Sequence, residues 1–299
     1  MESILAEVAY PIKAVVGEGS LWDVDNQRLL WVDILDHKIY SFDSMTNCNS
    51  GFDLGQDIGT VIITKSGLWA YADQDGIGFF NPKSGQKIEG PKPEAKRSQI
   101  RFNDGKCDPR GTFWAGTMAY DGKEGEGILY EFDYSGIVSK KITGLTISNG
   151  LVWDSSKTKF YFIDSTTYEI HGYDYDSVTG NIQNKSVVAK INKNLGLPDG
   201  MAIDSEDHLW VALFGGGKVI RIDPKTGSIV FEVVVPAPNV TSCAFGGPDL
   251  KDLYITSAIY NMDEKTLEEF PYSGSLFKAK VPFRGVLPYK MNDQITQLT

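Results

Sequence analysis

Cysteine, histidine and basic residues are all scarce in this chain of 299 residues. Its three cysteines, Cys48, Cys107 and Cys243, are odd in number and far apart, a usage that argues against a disulfide framework and for reduced thiols. The three histidines, His37, His171 and His208, fall at no zinc-ligand spacing and form no Ser-His-Asp pattern. Lys and Arg total 29 against 39 Asp and Glu, a formal charge of −10. The clustered cations that neutralise phosphates are therefore missing, and no nucleic-acid partner is expected. No apolar run approaches the roughly 18–20 residues that span a bilayer, so no membrane partner is expected either. Residues 1–16 carry Glu2, Glu7 and Lys13 and lack the basic start and apolar stretch of a secretory signal. The expected location is the cytoplasm, and the glycosylation-like triplets at Asn184 and Asn239 read as chance matches.

What the chain does hold is 31 Gly together with 15 Phe, 14 Tyr and 6 Trp, a combination that favours strands joined by tight turns. The aromatics are organised. Leu30-Trp31-Val32, Leu68-Trp69-Ala70, Phe113-Trp114-Ala115, Phe160-Tyr161-Phe162, Leu209-Trp210-Val211 and Leu253-Tyr254-Ile255 recur about every 40–50 residues, the period of a four-stranded propeller blade. Alternating stretches follow them, such as Lys38-Ile39-Tyr40-Ser41-Phe42-Asp43 and Lys218-Val219-Ile220-Arg221-Ile222-Asp223, which read as half-buried strands. They run into turns of the type Asp223-Pro224-Lys225-Thr226-Gly227. The expected fold is all-β: a six-bladed β-propeller with four-stranded antiparallel blades and a central metal-binding channel, occupying residues 1–299 as a single domain. A strand within residues 4–9 is expected to close the ring on the last blade near residues 272–281. Two packed sheets are the competing architecture, but a sandwich gives no reason for a regular period.

Aligning the repeats by their aromatic brings Glu18, Gly59, Asn103, Asn149, Asp199 and Ser242 into one register, at the start of each innermost strand, where equivalent positions converge on the propeller axis. Two carboxylates and two carboxamides around one point form an oxygen-only donor set, the preference of hard cations such as Ca²⁺, Mg²⁺ or Mn²⁺. Without a cation, Glu18 and Asp199 would repel and one would take up a proton. Asp25, Asp108, Asp154 and Asp204 belong instead to turns at the opposite mouth. Residues after each second strand, among them Asp33, Asp73, Asp121 and Asp164, return to the first mouth, and Asp121 opens a Gly-rich lip. Arg101, two residues before Asn103, projects to the same side if the segment is extended.

These same segments, Gly17-Glu18-Gly19, Arg101-Phe102-Asn103-Asp104-Gly105-Lys106, Ala115-Gly116-Thr117-Met118, Ser148-Asn149-Gly150, Pro198-Asp199-Gly200 and Thr241-Ser242-Cys243-Ala244-Phe245-Gly246-Gly247, together resemble the SMP-30/gluconolactonase/LRE family over essentially the whole chain. The resemblance implies a metal-dependent hydrolase of sugar-acid lactones, of the glucono- or gulono-1,5-lactone type, with one divalent cation (Ca²⁺, Zn²⁺, Mn²⁺ or Mg²⁺) in the channel. It implies that Glu18, Asn149 and Asp199 ligate the metal, that Asp199 also serves catalysis, and that Arg101, Asn103 and Asp121 bind the substrate. Vertebrate members carry Glu where Asp121 stands, and the following loop is longer. Three alternatives stay open: a calcium-binding regulatory protein without catalysis, a hydrolase of another ester or lactone of the luciferin-regenerating type, and an interaction scaffold.

Overall fold

A computed structural model describes residues 2–293 of the chain. Tight turns and alternating apolar residues build six consecutive antiparallel sheets around one axis. The first blade runs from the axis outward as Gly17–Asp23, Arg28–Asp33, Lys38–Asp43 and Cys48–Asp53. The second is Thr60–Ile63, Trp69–Ala72, Ile77–Phe80 and Lys87–Glu89. The third is Ile100–Cys107, Phe113–Ala119, Gly127–Phe132 and Val138–Leu145, and the fourth Ser148–Trp153, Lys159–Asp164, Glu169–Tyr175 and Ile182–Lys190. The fifth comprises Leu197–Ile203, Leu209–Phe214, Lys218–Asp223 and Ser228–Val234. The sixth takes Val240–Gly246, Asp252–Ser257 and Leu276–Lys280 from the end of the chain.

This is a six-bladed β-propeller, as the repeat predicts. Burial falls from the axis outward: Gly17–Asp23 and Ser148–Trp153 are buried along their whole length, whereas Cys48–Asp53 is largely exposed. Between the second and third strands of the last blade lies a short helix, Glu264–Glu269, whose first turn is capped by Asp263 Oδ1 accepting from Thr266 N–H at 2.8 Å. No helix among the described residues is long and apolar enough to cross a membrane.

The N-terminus departs from the expectation of one closing strand over residues 4–9. Glu7–Tyr10 pairs antiparallel with Leu276–Lys280 and completes the sixth blade. Glu2–Leu5 instead adds a fifth, parallel strand to Ser228–Val234 of the fifth blade, with Ile4 opposite Val233. Buried Ala6 is the pivot, its N–H donating to Val234 O at 2.8 Å. One segment thus covers the outer edges of two neighbouring blades, which would otherwise offer unpaired backbone to other chains. Residues 294–299 lie outside the described residues.

The apolar core is not one mass but six clusters, each between two adjacent blades. The repeated aromatics are the wedges. Trp210 meets Phe245 of the next blade edge-on at 5.3 Å, Trp114 meets Trp153 at 5.5 Å, and Tyr254 stacks on Trp22 at 5.5 Å, joining the last blade to the first. At the axis the innermost strands approach each other where side chains are absent. A Cβ on Gly150 would lie 2.7 Å from Asp199 O and 2.8 Å from Met201 N. Gly150→Ala should therefore force the fourth and fifth inner strands apart and cost about 1–3 kcal/mol, measurable as a lower midpoint in chemical denaturation.

Candidate active site

Five of the six innermost strands lose register with their neighbour at the same height. The slips fall between Glu18 and Leu21, Phe102 and Gly105, Ser148 and Leu151, Pro198 and Met201, and Val240 and Cys243. A bulge inserts residues that do not pair and re-aims their side chains. At or inside these slips stand Glu18, Asn103 with Asp104, Asn149, Asp199 and Ser242, all buried. Short dipeptides with Gly, which local turn propensity alone would explain, are here the means of turning polar side chains toward the axis.

A chain of hydrogen bonds orients the two carboxamides. Arg101 Nη1 donates to Asn103 Oδ1 at 2.7 Å and to Phe102 O at 2.9 Å. Asn103 Nδ2 donates to Ser148 O at 2.9 Å and to Asn149 Oδ1 at 3.2 Å. Asn149 Nδ2 in turn donates to Ser165 Oγ at 2.9 Å. Asn149 therefore keeps its oxygen on the side of Asn103, whose own oxygen is held by Arg101.

The carboxylates are strongly perturbed. Burial, reinforced by the charge of Asp104, pushes Glu18 up to about 8, against the smaller pull of the Gly19 N–H, Lys106 and Arg101. Gly19 N–H donates to Glu18 Oε2 at 2.7 Å. Asp199 is driven well above the usual carboxylate range by burial and then by the charges of Glu18 and Asp104. Asp104 is raised by burial and partly relieved by Lys106. Its Oδ1 accepts from Gly105 N–H at 2.7 Å, and its Oδ2 is buried without a partner. If all three buried acids were ionised, their negative charge would exceed what their surroundings offset, so without a cation they retain protons, and a hard divalent cation is the species that would let them ionise together. Among the described residues no three Asp, Glu, His or Cys side chains gather closely enough to share an ion. The donor set of Glu18 and Asp199 reaches three only with the Asn149 carboxamide, and Asp104 acts as a neighbouring charge. Asp104 is the residue that sequence reasoning passed over, as a spacer between Asn103 and Gly105; the bulge brings both members of the pair to the axis.

Other expected positions are placed differently. Asp121 is exposed on its lip, accepts from Lys123 N–H at 3.0 Å in its own turn, and has no hydrogen bond to Arg101 or Asn103. The preceding Tyr120 is the residue beside Arg101, whose guanidinium lies 5.9 Å from the ring centroid. Tyr120 Oη donates to Asp57 Oδ2 at 2.6 Å, and His37 Nε2 lies 3.0 Å from Asp57 Oδ1. Asp33 and Asp164 are structural: they accept from Val15 and Val16, and from Thr146 and Ile147, where the chain enters an inner strand. Asp108, Asp154 and Asp204 cap turns at the opposite mouth as expected. In the first blade that work falls to Asp23, which accepts from Asp25 N–H, and not to Asp25.

The family model described as the SMP-30/gluconolactonase/LRE-like region matches residues 16–259. The chain belongs to this family. Among its relatives is the provisionally named sugar lactone lactonase YvrE of Bacillus subtilis (strain 168), 39% identical over 92% of this chain and 94% of that protein. Regucalcin of Danio rerio is 38% identical over 97% of this chain and 99% of its own length. A solved structure of a luciferin-regenerating enzyme superposes with a TM-score of 0.90 at 28% identity, covering 96% of this chain and 99% of that one.

The raised acids make stability depend on pH. Glu18 holds its proton up to about 8 in the folded chain against an ordinary value of 4.5, so between those values the folded state binds more protons than the unfolded one. The stabilisation is complete below about 4.5 and is lost as pH rises through about 8. After chelator treatment this protein should melt at falling temperature as pH goes from about 5 to above 8, and Glu18→Gln should flatten that slope in a thermal-shift series.

Proposed function

We propose that this protein is a divalent-metal-dependent lactonase that opens aldonolactones of the glucono- or gulono-1,5-lactone type. The observation that carries the reading is the convergence of Glu18, Asp199 and the oxygen of Asn149 on one buried point, with Arg101 and Asn103 beside it. Relatives named for sugar lactone hydrolysis support the same class of chemistry. A divalent cation bound there would polarise the lactone carbonyl and acidify water, contributions worth several kcal/mol to the barrier.

Each residue has a stated part. Glu18 and Asp199 would hold the cation with charge, and Asn149 with a carboxamide oxygen whose direction Ser165 sets. Asp199 is assigned to orient the attacking water and take its proton, which passes to the ring oxygen as the C–O bond of the lactone breaks. Arg101 spends one nitrogen on Asn103 and Phe102 and has further donors for substrate hydroxyls. Asn103, fixed between Arg101 and Asn149, would contact the substrate or the water held over the site. Asp121, exposed on the lip, would reach only the far hydroxyls of a bound sugar ring.

Purified protein assayed with glucono- and gulono-1,5-lactone against Ca²⁺, Mg²⁺, Mn²⁺ and Zn²⁺ should show hydrolysis that a chelator abolishes. Glu18→Ala and Asp199→Ala should each lower kcat/KM by about a hundredfold or more and weaken cation binding in calorimetry. Arg101→Met should act mainly on KM. Cation binding without turnover on any lactone would replace this reading with a purely binding one.

A further inference from the structure

Arg101 is buried and carries a charge with no close partner. Its Nη1 donates to Phe102 O and Asn103 Oδ1, and among the described residues no carboxylate oxygen lies within 4.0 Å of its guanidinium. Its Nε and Nη2 make no hydrogen bond among those residues. Burial works against the charged form, and the carboxylate that favours it most is Asp57, ahead of Glu18. Asp57 does so from a distance.

Both oxygens of Asp57 are already taken. Oδ2 accepts from Tyr120 Oη at 2.6 Å, and Oδ1 lies 3.0 Å from His37 Nε2, which donates to it with the proton on that nitrogen. Burial and the Asp57 carboxylate push the Tyr120 phenol up, so it stays a donor. The same ring has its centroid 5.9 Å from the Arg101 guanidinium, within reach of a cation–π contact. The three side chains arrive from separate places: His37 from the turn after the second strand of the first blade, Asp57 from the link between the first and second blades, and Tyr120 from the end of Phe113–Ala119. A carboxylate paired fork to fork with an arginine takes up two of its N–H groups. Here Asp57 compensates Arg101 and leaves those groups open. Tyr120 is exposed and His37 partly so, and pairs of that kind add little stability by themselves.

We propose that Asp57 and Tyr120 are positioning residues for substrate selection at the lactone site, an inference that rests on the lactonase reading above. They hold the counter-charge of Arg101 at a distance, so that its Nε and Nη2 remain donors for the ring hydroxyls of a sugar lactone. His37 anchors Asp57 in that place. The set favours polyhydroxylated lactones, whose hydroxyls accept from Arg101, over unsubstituted aliphatic ones, whose methylene groups would leave buried donors unpaired.

The test compares glucono-1,5-lactone with unsubstituted δ-valerolactone in the full-length, cation-loaded protein. Tyr120→Phe, which keeps the ring and loses the bond to Asp57, and Asp57→Asn should each raise KM for gluconolactone about five- to tenfold, with kcat within about twofold and kcat/KM for valerolactone unchanged. In an Arg101→Met background neither should change KM further, because the residue through which they act is gone. Calorimetric binding of the lactam analogue of gluconolactone, whose amide resists hydrolysis, should weaken by the same factor. Additive effects in Arg101→Met, an equal loss on both lactones, or an unchanged KM in Tyr120→Phe would overturn the proposal. A wild-type protein without turnover on any lactone removes the lactonase reading and this inference with it, whereas an active protein giving one of those three results removes the inference alone. Tyr120→Phe decides the matter even if Asp57→Asn does not fold.

Discussion

Apolar contact between neighbouring blades is the constraint on which everything else in this protein rests. Each sheet is twisted and cannot bury both faces alone, so it packs on the sheets before and after it, and the packing closes only when the sixth blade meets the first through Tyr254 and Trp22. Because the core is divided among six such interfaces, no apolar side chain is required on the axis. The axis is left to the innermost strands, which meet through small residues such as Gly150 and Gly200. Polar groups can stand there at fixed height without weakening the core, held by a ring too stiff to collapse around them.

That placement has an electrostatic consequence. Glu18, Asp104 and Asp199 share a region from which water is largely excluded, and the nearby Arg101, Lys106 and Gly19 N–H offset only part of their charge. Acids that must keep their protons to remain buried together are a poor choice for stability alone and a good one for holding a cation. The hydrogen-bonded series from Arg101 through Asn103 and Asn149 to Ser165 then supplies direction, since a carboxamide has an oxygen end and a nitrogen end and only anchoring of the latter commits the former. Charge and orientation come from different blades, and neither is complete in any one segment.

The aromatic repeat was legible because the residue it marks does the same packing work in blade after blade, so the period in the sequence is a period in space. The positions of Glu18, Asn103, Asn149 and Asp199 followed from that period. Local detail did not. Asp104 looked like a spacer because an unbulged strand would send it away from its neighbour Asn103. Asp121 was assigned by family likeness, while the structure sets Tyr120 beside Arg101 and leaves Asp121 in its own turn. The N-terminal segment read as one strand; a pivot at Ala6 divides it between two blades, a choice that depends on edges contributed by residues more than two hundred positions away.

By itself, then, the order of amino acids determined the number of blades, the family and the equivalent register of Glu18, Asn103, Asn149 and Asp199, since these are written in repeated local patterns and motifs. The tertiary structure alone decided which way each carboxamide is turned, which acids interact, and that a largely apolar pocket with Lys106 in its wall lies under the C-terminal strap of residues 284–293. Those outcomes depend on distances between strands of different blades, and on a strap that crosses from the last blades to the second and third. Hydrogen-bond direction and the field around a buried acid exist only once those strands are brought together.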